Sequence, residues 1–185
     1  MRHLEKLVAS YAGSITVRSY PRFNAQVSTL DIKNGISEYR KLKGYNPDIV
    51  IVDSMDLLTD ANRRSWGADH ERAKRIAVAN DLKDLAADEK VWMVVTYQST
   101  IEDREWLNDE RNVLTEYNCS EAKGLARPCT HLVSLNQSSA ERKENVMRLH
   151  VAKARFFKKG ETVKIATDYD NEVFYDAQRS MNLKR

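Results

Sequence analysis

Residues Asp48-Ile49-Val50-Ile51-Val52-Asp53-Ser54 constrain this chain more than any other stretch, because four consecutive β-branched side chains end abruptly in a carboxylate. Such a run, with no polar alternation, predicts a strand buried on both faces, as at the centre of a parallel sheet. Asp53 then stands at the carboxyl edge of that strand, where open α/β sheets place their ligands. The same heptapeptide also fits an ordinary buried strand followed by a capping Asp, and taken alone it favours that plainer reading.

The remaining sequence alternates between the helical and the extended period. Ile15-Thr16-Val17-Arg18 is a short strand candidate, followed by a loop through Pro21. Ser28-Thr29-Leu30-Asp31 has the form of a capping box. It opens a predicted helix with Ile32, Ile36 and Tyr39 on one face, which stops near Gly44 and Pro47. A polar loop from Thr59 to about Gly67 leads into a longer helix, roughly Asp69 to Glu89. Val78, Leu82, Leu85 and Ala86 form its apolar face, with Ile76 off that stripe. Val91 to Tyr97 is a second continuous apolar strand, so the order strand–helix–strand predicts a βαβ unit with parallel pairing.

Residues 99–128 are polar and weakly periodic, which is long for an idle loop. Strands are predicted at Thr130–Asn136, Val146–Ala154 and Thr162–Ala166, the last two forming a hairpin around Lys158-Lys159-Gly160. A short strand at Val173-Phe174-Tyr175 precedes a charged tail, 176–185. With no repeat or interdomain linker, the 185 residues read as one domain with a core of about 15–175.

Composition narrows the function classes only a little. Basic residues number 30 and acidic ones 27, so the net charge of +3 is too near balance to indicate nucleic acid by itself. No apolar run approaches the ~20 residues of a membrane helix, and Met1-Arg2-His3-Leu4-Glu5 is not a signal peptide. Cys119 and Cys129 fit a reducing, cytoplasmic setting. With His131 they make an unusual metal-ligand spacing, and free thiols in a loop are the preferred reading.

Two features beyond the first strand carry chemistry. The second apolar strand ends Thr96-Tyr97-Gln98-Ser99, which puts a neutral amide beside Asp53 if the two strands are neighbours. Later, Lys153 and Arg155 stand two apart at a strand end and so share a face. Such a pair makes an anion clamp, with Arg adding a fork suited to phosphate. Gln98 also reads as a loop residue, and the cations as a solvated hairpin tip.

Taken in order, these elements resemble the RecA-like motor domain of the DnaB family of replicative helicases. The matching residues are Ile49–Asp53, for the Walker B strand, the helix through Leu82, Leu85 and Ala86, and Thr96-Tyr97-Gln98 for the sensor strand. Ser120-Glu121 ahead of His131-Leu132-Val133, and Ala152-Lys153-Ala154-Arg155 with Gly160, complete the set over roughly residues 45–170. The resemblance implies an α/β fold with a mostly parallel sheet flanked by helices and a C-terminal antiparallel hairpin. It implies ATP with Mg²⁺ as cofactor, with Asp53 as the magnesium-side acid and Ser54 next to it in the nucleotide site. Gln98 becomes the sensor, Arg155 a finger acting on a neighbouring subunit's nucleotide, and Lys153 its companion. A hexameric ring and single-stranded DNA as partner follow too, with Arg104, Arg111, Lys123 and Arg127 as candidate DNA contacts. Trp106 covers the core of its own loop or stacks on a base, the former being preferred.

The chain departs from that family at its phosphate loop. Its glycines, at 13, 35, 44, 67, 124 and 160, form no G-x-x-x-x-G-K-[ST], and Ser54 stands where the family usually has an aromatic. The expectation is therefore an incomplete motor, the C-terminal part of a larger one, without independent ATP hydrolysis. The alternatives are a non-catalytic binding or assembly module of the same fold, and another RecA-like ATPase of recombinase or clock type.

Overall fold

The β-branched run forms its strand, and the rest of the architecture is arranged around one side of it. The computed structural model describes residues 13–20, 27–62, 70–99, 103–118 and 124–176. Strand β1 (Val27–Ser28) leads into helix α1 (Thr29–Lys43). The Asp31 carboxylate accepts hydrogen bonds from Ser28 N at 2.8 Å and Ser28 Oγ at 2.7 Å, closing the N-terminus as the sequence predicts. At the other end Gly44 adopts φ +81°, a left-handed conformation in which its N–H reaches Arg40 O at 2.8 Å.

Strand β2 (Ile49–Val52) follows, then a 3₁₀ turn at Met55–Leu57 and strand β3 (Leu58–Thr59), which pairs in parallel with β1. The start of the expected polar loop is thus a strand. Two residues of pairing are too few to leave a period in the sequence. Asp81 fixes this corner, its Oδ2 accepting from Thr29 Oγ1 at 2.9 Å and from Ala61 N at 2.8 Å. It sits on helix α2 (Glu71–Glu89), the crossover to strand β4 (Trp92–Val95). Strands β2 and β4 pair in parallel, Val50 opposite Met93 and Val52 opposite Val95, as the βαβ pattern predicts.

The core lies between this pair and α2. Val78, Ala79 and Leu82 of the helix pack with Val52, Met55, Leu58 and Leu125, and Val50, Met93 and Val95 join from the strands. Ile76 also packs against this cluster, contrary to its place off the stripe. The reason is the turn at 124–126, which folds over that flank of α2. Gly124 comes so near that a Cβ there would lie 2.6 Å from Ile76 Cδ1.

The expected burial of β2 on both faces is not what forms. Ile51 is 70% exposed and Trp92 77%, with Ile49 and Val94 beside them on the same open face. Helix α2 covers one side of the pair, and among the described residues nothing covers the other. Ile15–Arg18 is likewise no strand. It is held instead by side chains, Arg18 pairing with Glu38 and lying over the Tyr20 ring.

A second sheet is antiparallel, in the order β5 (His131–Asn136), β6 (Val146–Ala154), β7 (Thr162–Asp168), β8 (Val173–Asp176). A short capped helix, α4 (Ser139–Lys143), joins its first two strands and follows α3 (Arg104–Asn108) in the chain. The alternation in β6 holds, but its polar side is the buried one. Arg148 and His150 are covered, while Met147, Leu149 and Val151 are half-buried on the other face, near exposed Val133, Leu135 and Val163.

Loop 108–114 provides that cover. Arg148 Nη1 donates to Glu110 O at 2.6 Å and Asn112 O at 2.8 Å, and Leu114 N donates to Asn136 Oδ1 at 2.7 Å. Arg148 Nε also lies 2.7 Å from Glu141 Oε1, and both side chains are buried. Removing one member of such a pair strands a buried charge. Arg148→Met is therefore expected to cost about 3–5 kcal/mol in urea unfolding, and Arg148→Met with Glu141→Leu clearly less. Equal losses in the single and double variants would show that the ion pair is not what holds the loop.

Candidate nucleotide and phosphate site

The β2–β4 ladder continues one step beyond its strands and builds the first group of candidate site residues. Thr96 N donates to Val52 O at 3.0 Å, which sets Thr96 beside Asp53. Asp53 Oδ1 accepts from Thr96 Oγ1 at 2.6 Å, while the carboxylate stays exposed. The chain then turns sharply. Met55 N donates to Thr96 O at 3.1 Å, Leu57 N to Ser54 O at 3.2 Å, and the Asp53–Ser54 peptide is cis. Gln98 N reaches Asp56 Oδ2 at 3.3 Å. Asp53, Ser54 and Gln98 therefore lie together at the carboxyl edge of the parallel pair.

Thr96 and Asp56 are additions that the sequence reading missed. Thr96 was within reach of it, because a parallel register with Val52 opposite Val95 puts the next residues side by side. An exposed carboxylate with one oxygen already hydrogen-bonded keeps its other oxygen for a hard cation such as Mg²⁺, direct or through water. Thr96 fixes the rotamer, so the free oxygen has one direction.

Lys153 and Arg155 form the second group. Lys153 Nζ donates to Ala126 O and, at 3.3 Å, to Arg127 O, and Arg155 Nη2 reaches the same Arg127 carbonyl at 3.2 Å. The two cations converge, as their spacing predicts, on a turn anchored by buried Leu125 and Ala126. Beneath them, burial pushes the Cys129 thiol up, although both cations pull it down. No hydrogen bond or ion pair joins this group to Asp53 and Gln98 among the described residues.

The expected DNA-contact residues are scattered. Arg104 is exposed at the start of α3, and Arg127 is exposed on the turn just described. Arg111 is committed to Asp109, with Nη2 to Oδ2 at 2.6 Å and Nε bonding both carboxylate oxygens. Trp106 is half-buried in its loop, its carbonyl accepting from Asn112. Lys123, Cys119, Ser120-Glu121 and the tail 177–185 lie outside the described residues.

Solved structures resemble this arrangement over most of its length. One, of a DnaB-like replicative helicase and its interactions with primase, aligns with a TM-score of 0.63 at 22% identity. The match covers 80% of this chain and 36% of that one. A second solved structure, of an ATPase domain, aligns with a TM-score of 0.64 at 22% identity, covering 81% of this chain and 51% of that one. The fold is RecA-like. This RecA-like unit spans about a third to a half of the solved chains it matches. No protein-family model and no curated protein matches the sequence. Among the described residues no helix is long and apolar enough to cross a membrane.

Within this RecA-like unit the Arg111–Asp109 pair has a direct signature. Hydrogen bonds from the Arg111 side chain, then from its backbone, hold the Asp109 carboxyl down at about 2. A depressed carboxyl contributes stability above its unfolded pKa and loses it as pH falls through the folded value, here between about 4 and about 2. Carboxyl NMR is expected to place the Asp109 midpoint near 2, and Arg111→Ala to move it back toward 3.8. No movement would free Arg111 for other partners.

Proposed function

We propose that this chain is the C-terminal part of a DnaB-like replicative helicase motor, which hydrolyses ATP at subunit interfaces to move along single-stranded DNA. The observation that carries the reading is Asp53, fixed by Thr96 at the carboxyl edge of a parallel pair whose other face lies open. Parallel sheets are normally covered on both faces. The apolar side of Ile49, Ile51, Trp92 and Val94, with the apolar side of β5 and β6, fits a sheet that awaits more polypeptide. The solved chains it matches are two to three times as much protein as the match covers.

In this reading the missing portion is a strand and helix joined by a phosphate loop, which bind the triphosphate at a helix N-terminus. Asp53 then serves the Mg²⁺ side of the nucleotide, with Ser54 beside it. Gln98 senses the γ-phosphate or orients the attacking water without competing for protons. Arg155, with Lys153, acts as a finger toward the nucleotide of a neighbouring subunit, in a ring assembled from several copies. Among the described residues no hydrogen bond or ion pair joins it to Asp53, which leaves it free of its own chain's magnesium-side acid.

The test joins a phosphate-loop segment to this chain and measures DNA-stimulated ATPase. Arg155→Ala and Asp53→Asn are each expected to lower kcat by about 10³-fold or more, with folding intact by circular dichroism. Activity equal to the unsubstituted protein in the Arg155 variant would remove the finger assignment.

A further inference from the structure

Gln98 stands just past the point where the β2–β4 ladder ends, and its main chain lacks the partner that the register would give it. The parallel pairing that bonds Trp92 N to Asp48 O and Thr96 N to Val52 O would carry Gln98 N to Ser54 O, two residues further along both strands. The Ser54 carbonyl is taken elsewhere. It accepts from Leu57 N in the 3₁₀ turn Met55–Leu57, which Met55 N ties to Thr96 O. Asp56, on that same turn, takes its place, with Oδ2 accepting from Gln98 N at 3.3 Å.

The preceding residue is held by other elements. The Tyr97 ring packs against the core cluster, and its hydroxyl accepts from Arg75 Nη1 of α2 at 3.2 Å. Tyr97 thus anchors the chain on one side of the peptide, and Asp56 fixes the peptide itself. Asp56 is half-buried and Gln98 exposed, and among the described residues the Gln98 side-chain amide bonds to nothing. A carboxylate that accepts from a peptide N–H makes a charge-assisted bond, about twice as strong as a neutral one. Exposed main chain without such a bond opens readily. At a reacting group, a misplacement of about 1 Å can cost about 100-fold in rate.

We propose that Asp56 is a positioning residue, whose carboxylate replaces the lost ladder carbonyl and aims Gln98 at the nucleotide edge. It acts through Gln98 and leaves the Mg²⁺ side to Asp53. The role rests on the reading of Gln98 as the residue that meets the γ-phosphate or the attacking water. The hold on its main chain does not.

Amide hydrogen exchange followed by NMR tests that hold in the chain as it exists. Asp56→Ala is expected to speed exchange at Gln98 about tenfold and to leave Thr96 unchanged. Asp56→Asn keeps an acceptor oxygen without the charge and is expected to retain most of the protection. The role is read from DNA-stimulated ATPase once a phosphate-loop segment is joined. There Asp56→Ala is expected to lower kcat about ten- to 100-fold at unchanged KM for ATP, and Asp56→Asn to restore most of it. With Gln98→Ala already present, Asp56→Ala should cost nothing further. Unchanged exchange at Gln98, or an undiminished loss in the Gln98→Ala background, would overturn the proposal. So would equal losses in Asp56→Asn and Asp56→Ala, which would make Asp56 a cation ligand. A joined protein without ATPase in any form would contradict the motor reading instead, and exchange at Gln98 would still decide the hold.

Discussion

One-sided packing of the β2–β4 pair onto α2 is the constraint on which the rest of the molecule depends. Val50, Val52, Met93 and Val95 bury against Val78 and Leu82, and full burial of such side chains is worth about 1.5–3 kcal/mol each. That contact fixes the register, the register sets Thr96 beside Asp53, and Thr96 fixes the carboxylate. The turn at 124–127 packs on the same helix through Leu125, and its Ala126 and Arg127 carbonyls hold Lys153 and Arg155. Both groups of candidate site residues are thus positioned from one hydrophobic cluster.

The same packing explains what is left open. An α2 stripe has room for one face of a two-stranded pair, so Ile49, Ile51, Trp92 and Val94 remain outside. A contiguous apolar face of this kind marks an interaction surface in a soluble protein. The antiparallel sheet follows the opposite plan. There loop 108–114 seals the polar side of β6 through Arg148, and among the described residues the apolar side is the one left uncovered. Both sheets thus keep their apolar sides unsealed among the described residues, which is consistent with an incomplete α/β fold.

Much of this was legible in the sequence, for physical reasons. The capping box at Ser28 and Asp31, the stop at Gly44 and the hairpin closed by Gly160 are local devices, written in a few adjacent residues. The parallel β2–β4 pairing followed from two apolar runs separated by a helical period. What covers a strand is not local. Ile49–Val52 shows that a strand can be buried, and says nothing of whether the covering element is present. Pairings as short as β1 with β3 leave no period, and Ile76 needed the distant Gly124 turn to give it a neighbour. At the site, Asp53, Gln98 and the Lys153–Arg155 pair stood out by residue type. Thr96 did not, since its role comes from register alone.

An incomplete RecA-like sheet is tested most directly by the accessibility of Trp92. In a chain carrying Trp66→Phe and Trp106→Phe, Trp92 is the remaining indole, and it is 77% exposed here. Iodide quenching of its fluorescence would be compared before and after a phosphate-loop strand and helix are joined to the chain. Ready quenching is expected alone, then a blue-shifted emission largely protected from iodide in the joined protein. Trp92 quenched equally in both would mean that the open face of β2 and β4 is not where the fold is completed.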